Sequence, residues 1–161
     1  MNILILKRAT ILAALLGVVA ALIGAIPFFI IYVLLFLSFL ASPTVIIFMK
    51  KKNLLGVLDA QQSAILGGAI GLACSVGFFV VFVPVVCLLH FIFSAYYSYG
   101  IQYFVQFQAL WLFVIILAML AGILALTNSV SAMAVNYVYA QFEKVPDDAQ
   151  MPVDITIDEG I

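Results

Sequence analysis

Few side chains inside the long apolar runs of this chain could do chemistry, and His90 and Asn128 stand out among them. His90 is the single histidine. An ionisable residue within such a run is a functional hypothesis by default, but a proton relay needs a carboxylate or a second histidine within reach. The runs contain neither. We therefore expect His90 to be hydrogen-bonded at an interface, with a polar functional site as the alternative.

Asn128 lies beside Thr127, Ser129 and Ser131 near the end of the last apolar run. These side chains could line a small polar vestibule or bind a ligand. We expect instead that they hydrogen-bond across helices or to backbone carbonyls, as polar groups inside membrane bundles do. Asn136 marks the boundary of the run.

The cysteines and glycines give no catalytic or metal-binding motif. Cys74 and Cys87 share one run, so on one helix they are about 20 Å apart at 1.5 Å per residue, which excludes a disulfide. One histidine and two such cysteines cannot form a zinc site. The cluster Gly67-Gly68…Gly71 follows no strand and opens no phosphate-binding loop. The sequence therefore predicts a protein that is not an enzyme, with no cofactor and no metal.

The composition predicts an all-α integral membrane bundle. The chain has 161 residues, of which 68% are hydrophobic and 8% are charged, against about 45–50% apolar and about 25% charged in soluble domains. Such a chain must have lipid as its solvent, and in lipid the backbone of each segment must bond internally. No basic patch is interleaved with aromatic residues, so nucleic-acid binding is not expected.

Four transmembrane helices are expected, at about residues 9–26, 28–49, 63–93 and 109–135. The first two arise from one apolar stretch that would be about 60 Å long as a single helix, twice the hydrocarbon thickness. The stretch must fold back, and Gly24–Pro27 is the best place for the break. A re-entrant hairpin that does not cross fully is the alternative.

Three further features complete the predicted fold. Pro84 should kink the third helix, and Pro43 should bend or break the end of the second. An aromatic segment at 94–108 suggests a short interfacial helix before the fourth span. Residues 1–142 then form the transmembrane domain, and 143–161 form an acidic cytoplasmic tail. The tail could be a disordered solvating segment, a strand added to a partner's sheet, or a partner of Lys50–Lys52.

The basic residues predict the orientation, because cytoplasmic loops keep lysine and arginine. An even number of crossings places all of them, with both termini, on the cytoplasmic side of a cell membrane, which we expect to be a bacterial inner membrane. A cleaved signal peptide is the competing interpretation of the first segment, but its cleavage site is poor. The residues that carry this prediction, besides Lys144, are Lys7, Arg8, Lys50, Lys51 and Lys52.

Small residues spaced by four predict where helices approach closely, since leucine packing gains little in lipid. We expect the first, third and fourth spans to form the tight contacts and the aromatic second span to be more exposed to lipid. The predicted contact residues are Ala13, Gly17 and Ala21, then Gly67, Gly71 and Ser75, and finally Gly122 and Ala125.

Three functions are compatible with this sequence. The leading one is an accessory or assembly subunit that acts through helix packing on another membrane protein or a second copy of itself. The alternative is a small oligomeric transporter or channel for an uncharged or lipid-like substrate. A protein that bends or stabilises the bilayer is the third.

Overall fold

A computed structural model describes residues 3–52, 54–55, 58–93 and 110–143. These residues form five α-helices and, within the described ranges, no strand. The helices are α1 (Ile3–Gly24), α2 (Ile30–Phe39), α3 (Ala41–Lys51), α4 (Ala60–Ile92) and α5 (Leu110–Glu143). The expected interfacial helix at 94–108 and most of the acidic tail lie outside the described residues.

Three helices are long and apolar enough to cross a membrane: Ile3–Gly24, Ala60–Ile92 and Trp111–Gln141. The pair α2 and α3 is apolar enough when taken together, but the two helices are bent by 55° relative to each other. The described part of the chain is therefore all-helical, with the lengths and composition of a membrane-spanning protein.

The first break lies where the sequence predicts it. Helix α1 ends at Gly24, and the turn that follows is closed by bonds such as Ile26 N–H to the Ile23 carbonyl at 3.1 Å. The residue with left-handed backbone in this turn is Phe28, at φ 73°, and not the glycine. Gly24 is instead buried against the Phe78 ring. It is a packing residue that precedes the turn.

The second break corrects the expectation of one helix over 28–49. Helix α2 ends at Phe39, α3 begins at Ala41, and Leu40 lies between them. Pro43 has no N–H to donate to the Phe39 carbonyl, and its ring crowds that carbonyl, so the helix breaks one turn before the proline. The bend therefore falls near the middle of the predicted span and not in its last turns.

The other helix bounds differ from the predicted spans mainly in length. Helix α4 begins at Ala60 and continues through Pro84 to Ile92 without interruption, so a kink at Pro84 stays a prediction. Helix α5 extends to Glu143, about two turns beyond the predicted end at 135. The added turns carry Asn136 and Tyr139 on regular helix beyond the apolar run.

Contacts between residues show how the helices run. Gly71 of α4 faces Leu124 of α5, and Gly67 faces Ala132, so these two helices are antiparallel. Helix α3 is parallel to α5, because Ser42 bonds to Asn128 and, further along both helices, Lys50 lies over the Tyr139 ring. Helix α1 is antiparallel to α2 across the turn at 25–29 and therefore runs in the same direction as α4. The starts of α1 and α4 and the ends of α3 and α5 share one end of the bundle, called the basic end below.

Helix α4 is the centre of the bundle, and its most extensive contacts are with α1 and α5. Helix α2 buries only Val33 and Leu37, so the expected exposure of the second span is met by its first half alone. Helix α3 is more deeply packed and buries Ala41, Ser42, Val45, Ile46 and Met49.

Candidate functional site

Glycine contacts bring α1 and α5 onto α4 at backbone distance. A Cβ atom on Gly17 of α1 would overlap the Cys74 carbonyl oxygen of α4, and one on Gly77 would overlap the Ala14 carbonyl oxygen. At the other side of α4, a Cβ on Gly71 would lie 2.7 Å from the Leu124 carbonyl oxygen. Real side chains never approach so closely, so only glycine permits these contacts. These close contacts fix the positions of α1, α4 and α5 relative to one another.

The break between α2 and α3 leaves backbone groups without their helical partners. In an unbroken helix the Leu37 carbonyl would accept from Ala41, and Ser42 N–H would donate to Ser38. A buried peptide group without a partner is destabilising by about 1–3 kcal/mol, and lipid offers no substitute. A side chain with both a donor and an acceptor is needed at this place.

Asn128 of α5 supplies both groups. Its Oδ1 accepts from Ser42 N–H at 2.9 Å, and its Nδ2 donates to the Leu37 carbonyl at 2.7 Å. The same Nδ2 donates to the Leu124 carbonyl, one turn earlier on α5, at 2.8 Å. Asn128 is completely buried. Its amide therefore takes the place of a peptide unit across the break, and we call it the Asn128 clasp.

Ser42 and Gly67 tie the clasp to α4. The Ser42 hydroxyl donates to the Gly67 carbonyl at 3.3 Å, and Ser42 is completely buried. A Cβ on Gly67 would lie 2.5 Å from the Asn128 carbonyl oxygen, so this glycine lets α5 approach at the level of the clasp. Four helices, α2 to α5, therefore meet at a buried polar point made of uncharged groups.

The structure does not bring His90 to Asn128. His90 is half-buried near the end of α4, about 35 Å further along that helix than Gly67 at 1.5 Å per residue. The two candidate polar residues therefore lie at different levels of the bundle. Asn128 hydrogen-bonds across helices and to carbonyls, as the sequence leads us to expect.

The predicted packing residues fall into two groups. Several are buried in helix contacts: Ala13, Gly17 and Ala21 on α1, and Gly67, Gly71 and Ser75 on α4. Ala125 of α5 faces Gly71, since a Cβ placed on that glycine would lie 2.8 Å from the Ala125 Cα. Gly122 differs, because nothing lies within 4 Å of a Cβ placed on it. The space on that side of Gly122 is open within the described chain.

The basic residues that the structure describes cluster at the basic end. Lys7 and Arg8 lie near the start of α1, and Lys50–Lys52 lie at the end of α3. All of them are exposed except Lys50, which is partly buried. Its Nζ atom is inaccessible and lies 4.7 Å from the centroid of the Tyr139 ring.

Two side chains that the sequence does not single out as site residues are buried at the same end. Asn136 donates through Nδ2 to the Leu58 carbonyl at 2.6 Å, while its Oδ1 has no hydrogen-bond partner among the described residues. The Ser63 hydroxyl is likewise buried without a partner in those ranges. The sequence does not predict that these two side chains are buried, because serine and asparagine at the ends of apolar runs more often cap a helix at an exposed end.

Two apolar clefts open on the sides of the bundle. One, of about 310 Å³, lies between α1 and α2 and is lined by Leu16, Ile23 and Phe36 among others. The other, of about 280 Å³, lies between α2, α4 and α5. Its wall contains four phenylalanines beside aliphatic side chains, and Phe78 and Phe82 stack with centroids 4.8 Å apart. Both clefts suit hydrocarbon and offer almost no polar group.

Within the described ranges, no group of three or more His, Cys, Asp or Glu side chains could hold a metal ion. Comparison with protein-family models, with curated proteins and with solved structures gives no match.

Proposed function

We propose that this chain is a non-enzymatic membrane protein that crosses the bilayer four times and serves as an accessory or assembly subunit. Helix α5 is its docking element. The partner is another membrane protein or a second copy of the chain, and the basic end faces the cytoplasm.

The alternating directions of α1, α2–α3, α4 and α5 support four crossings. If the bent pair α2–α3 counts as one span, the chain passes back and forth four times. Lys7, Arg8 and Lys50–Lys52 then lie on one side, as the preference of basic residues for the cytoplasm requires. Reporter tags fused to the two termini should both report the cytoplasm, and tags reporting opposite sides would reject this topology.

The open space beside Gly122 is the observation that supports an assembly role. At Gly17, Gly67, Gly71 and Gly77 an added Cβ would meet backbone atoms of a neighbouring helix, whereas at Gly122 it would meet no described atom within 4 Å. Ala118, one turn earlier, is exposed. Small residues four apart allow a second helix to approach closely in lipid. The exposed large side chains around them, Ile115, Met119 and Leu126, would flank such a helix.

Substitution of Gly122 tests the assembly role. We expect the wild-type protein, purified in mild detergent, to form a complex with itself or with a co-purifying membrane protein. Gly122→Leu should abolish that complex while leaving the bundle folded. Ala134→Leu is the matched control, since Ala134 is an exposed small residue elsewhere on α5. A wild-type protein that stays monomeric with no partner, by native mass spectrometry and in-membrane crosslinking, would reject the proposal.

A transporter of lipid-like molecules is the second candidate. It is favoured by one observation, the broken helix α2–α3 beside the phenylalanine-lined cleft of about 280 Å³. Interrupted helices often lie at the binding sites of transporters. Movement of a fluorescent lipid across reconstituted vesicles, lost in Asn128→Leu and kept in Gly122→Leu, would favour this function over assembly.

A further inference from the structure

Among the three lysines Lys50–Lys52, Lys50 alone has its ammonium group buried. Lys51 and Lys52 are exposed, but the Lys50 Nζ is inaccessible and has no hydrogen-bond partner in the described part of the chain. Lysines at helix ends normally extend their ammonium groups to the interface. The Tyr139 ring at 4.7 Å offers a cation–π contact. Such a contact does not offset the unfavourable free energy of desolvating an ammonium group.

Ser63 and Asn136 place two more unpartnered polar atoms at the same level of the bundle. Gly67 of α4 touches Ala132 of α5, and these helices are antiparallel. Ser63 lies one turn before Gly67, and Asn136 lies one turn after Ala132, so they belong to the next layer towards the basic end. Ser63 is completely buried and Asn136 is 6% exposed.

Lys50 lies near this layer because of its contact with Tyr139. Tyr139 follows Asn136 by less than one helical turn, and the Lys50 ammonium group lies over the Tyr139 ring. We call Lys50, Ser63, Asn136 and Tyr139 the basal site. Its unpartnered atoms are two donors, the Lys50 ammonium and the Ser63 hydroxyl, and one acceptor, Asn136 Oδ1. The Asn136 amide is oriented by its bond to the Leu58 carbonyl, so the oxygen and not the nitrogen is left over.

The charge of this site is uncompensated by the described chain. Asp59 is the acidic residue at this end whose side chain the structure describes, and it is exposed. Buried polar atoms without protein partners ordinarily mark a bound water, ion or ligand. A water could bridge hydroxyl and amide, but it would leave the positive charge unbalanced.

We propose that the basal site binds a phosphate-bearing anion, and that its source is the headgroup of an anionic phospholipid in the cytoplasmic leaflet. Phosphate oxygens accept from Lys50 and Ser63. A headgroup hydroxyl, such as the glycerol of phosphatidylglycerol, donates to Asn136 Oδ1. The flexible Lys50 side chain swings away from the Tyr139 ring to admit the headgroup, and the exposed lysines beside it raise the local concentration of anionic lipid.

The test compares Lys50→Gln with Lys51→Gln, its exposed neighbour. Full-length protein, stripped of lipid in detergent, is titrated with phosphatidylglycerol, with phosphatidylcholine or with inorganic phosphate, and binding is followed by native mass spectrometry and thermal shift. Phosphatidylglycerol should bind about ten-fold more weakly to Lys50→Gln, the change expected on losing a charge-assisted hydrogen bond. Binding to Lys51→Gln should change less than about two-fold, and Lys50→Arg should retain binding.

Each outcome decides the proposal. Stabilisation by inorganic phosphate that depends on Lys50, with no retained lipid, would support the anion site and assign it to free phosphate. Equal losses in Lys50→Gln and Lys51→Gln would reduce the effect to surface charge and overturn the proposal. Equal binding of phosphatidylcholine, or no binding of any probe, would overturn it as well. If Lys50→Gln does not fold, Ser63→Ala takes its place and should weaken phosphatidylglycerol binding several-fold. None of these results depends on a protein partner at Gly122.

Discussion

Two regions of the bundle are held together by different interactions. Where α4 packs against α1 and α5, glycines let backbones touch, and a Cβ at Gly17 or Gly77 would overlap a carbonyl oxygen of the neighbouring helix. The α2–α3 region contains no glycine and is instead a broken helix. Two backbone groups that lack helical partners there, Ser42 N–H and the Leu37 carbonyl, are hydrogen-bonded by the amide of Asn128.

This comparison shows two ways to hold helices together where burying leucine gains little. Close backbone approach gives many weak dispersion contacts and tolerates no added atom. A buried amide gives a few directional bonds and tolerates a defect in the helix, because it replaces the missing peptide partners. The first should be sensitive to added volume, and the second to lost polarity.

Added volume at Gly17 should have the largest effect. Gly17→Leu forces α1 away from α4, and we expect the free energy of unfolding to fall by about 3 kcal/mol, at the upper end for overpacked cores. Steric trapping or thermal unfolding in detergent measures the loss. Gly122→Leu, which adds the same volume where nothing lies within 4 Å, should leave monomer stability nearly unchanged. Similar losses in both variants would show that α1 and α4 do not touch at Gly17.

Removing the Asn128 clasp should have the second largest effect on stability. Asn128→Leu deletes three hydrogen bonds at near-constant volume and leaves Ser42 N–H and the Leu37 carbonyl unpartnered. At about 0.6 kcal/mol for each bond in a membrane bundle, the expected loss is about 2 kcal/mol. Thr127→Val is the control, because the Thr127 hydroxyl bonds to carbonyls of its own helix. A control as damaging as Asn128→Leu would contradict a special role for the clasp.

Restoring a donor at position 43 should sharpen the comparison. Pro43→Ala returns an N–H to the Phe39 carbonyl, so α2 and α3 should straighten from their bend of 55°. Spin labels at Tyr32 and Phe48, with Cys74 and Cys87 replaced, would move apart by about 3 Å for two arms of about 12 Å each. Asn128→Leu should then be less damaging by about 1 kcal/mol in the Pro43→Ala background. An unchanged label distance would show that other contacts impose the bend.

The smallest effect is expected at the Ser42 hydroxyl. Its bond to the Gly67 carbonyl is long, at 3.3 Å, and Ser42→Ala keeps the backbone N–H that the clasp uses. We expect a loss of about 0.5 kcal/mol by thermal unfolding. A loss as large as that of Asn128→Leu would assign the hydrogen-bonding role to the hydroxyl and not to the backbone.

The sequence predicts the outline of this bundle better than its centre. The break after Gly24 follows from a stretch too long to be one span, and the glycine contacts on α4 follow from small residues four apart. The break at Leu40 lies earlier than predicted, because Pro43 acts on the carbonyl one turn before it. A single asparagine in an apolar run suggests an interhelical bond, but the sequence does not tell which backbone groups will need it. That depends on where α5 lies relative to the break between α2 and α3 in three dimensions.

The basal site is beyond prediction from the sequence for a similar reason. Lys50 is one of three adjacent lysines, and the sequence treats them alike as markers of orientation. Which of them turns inward depends on the phase of α3, and that phase is set by the break at Leu40.

Residue-resolved hydrogen exchange at the Ser42 amide tests the clasp most directly, since this N–H has Asn128 as its acceptor in place of a helical carbonyl. Ile46, buried on the same helix, is the reference amide. Asn128→Leu should speed exchange at Ser42 relative to Ile46 by about ten-fold or more, the factor that corresponds to about 1.4 kcal/mol. Equal protection at Ser42 in the wild-type protein and in Asn128→Leu would contradict the account.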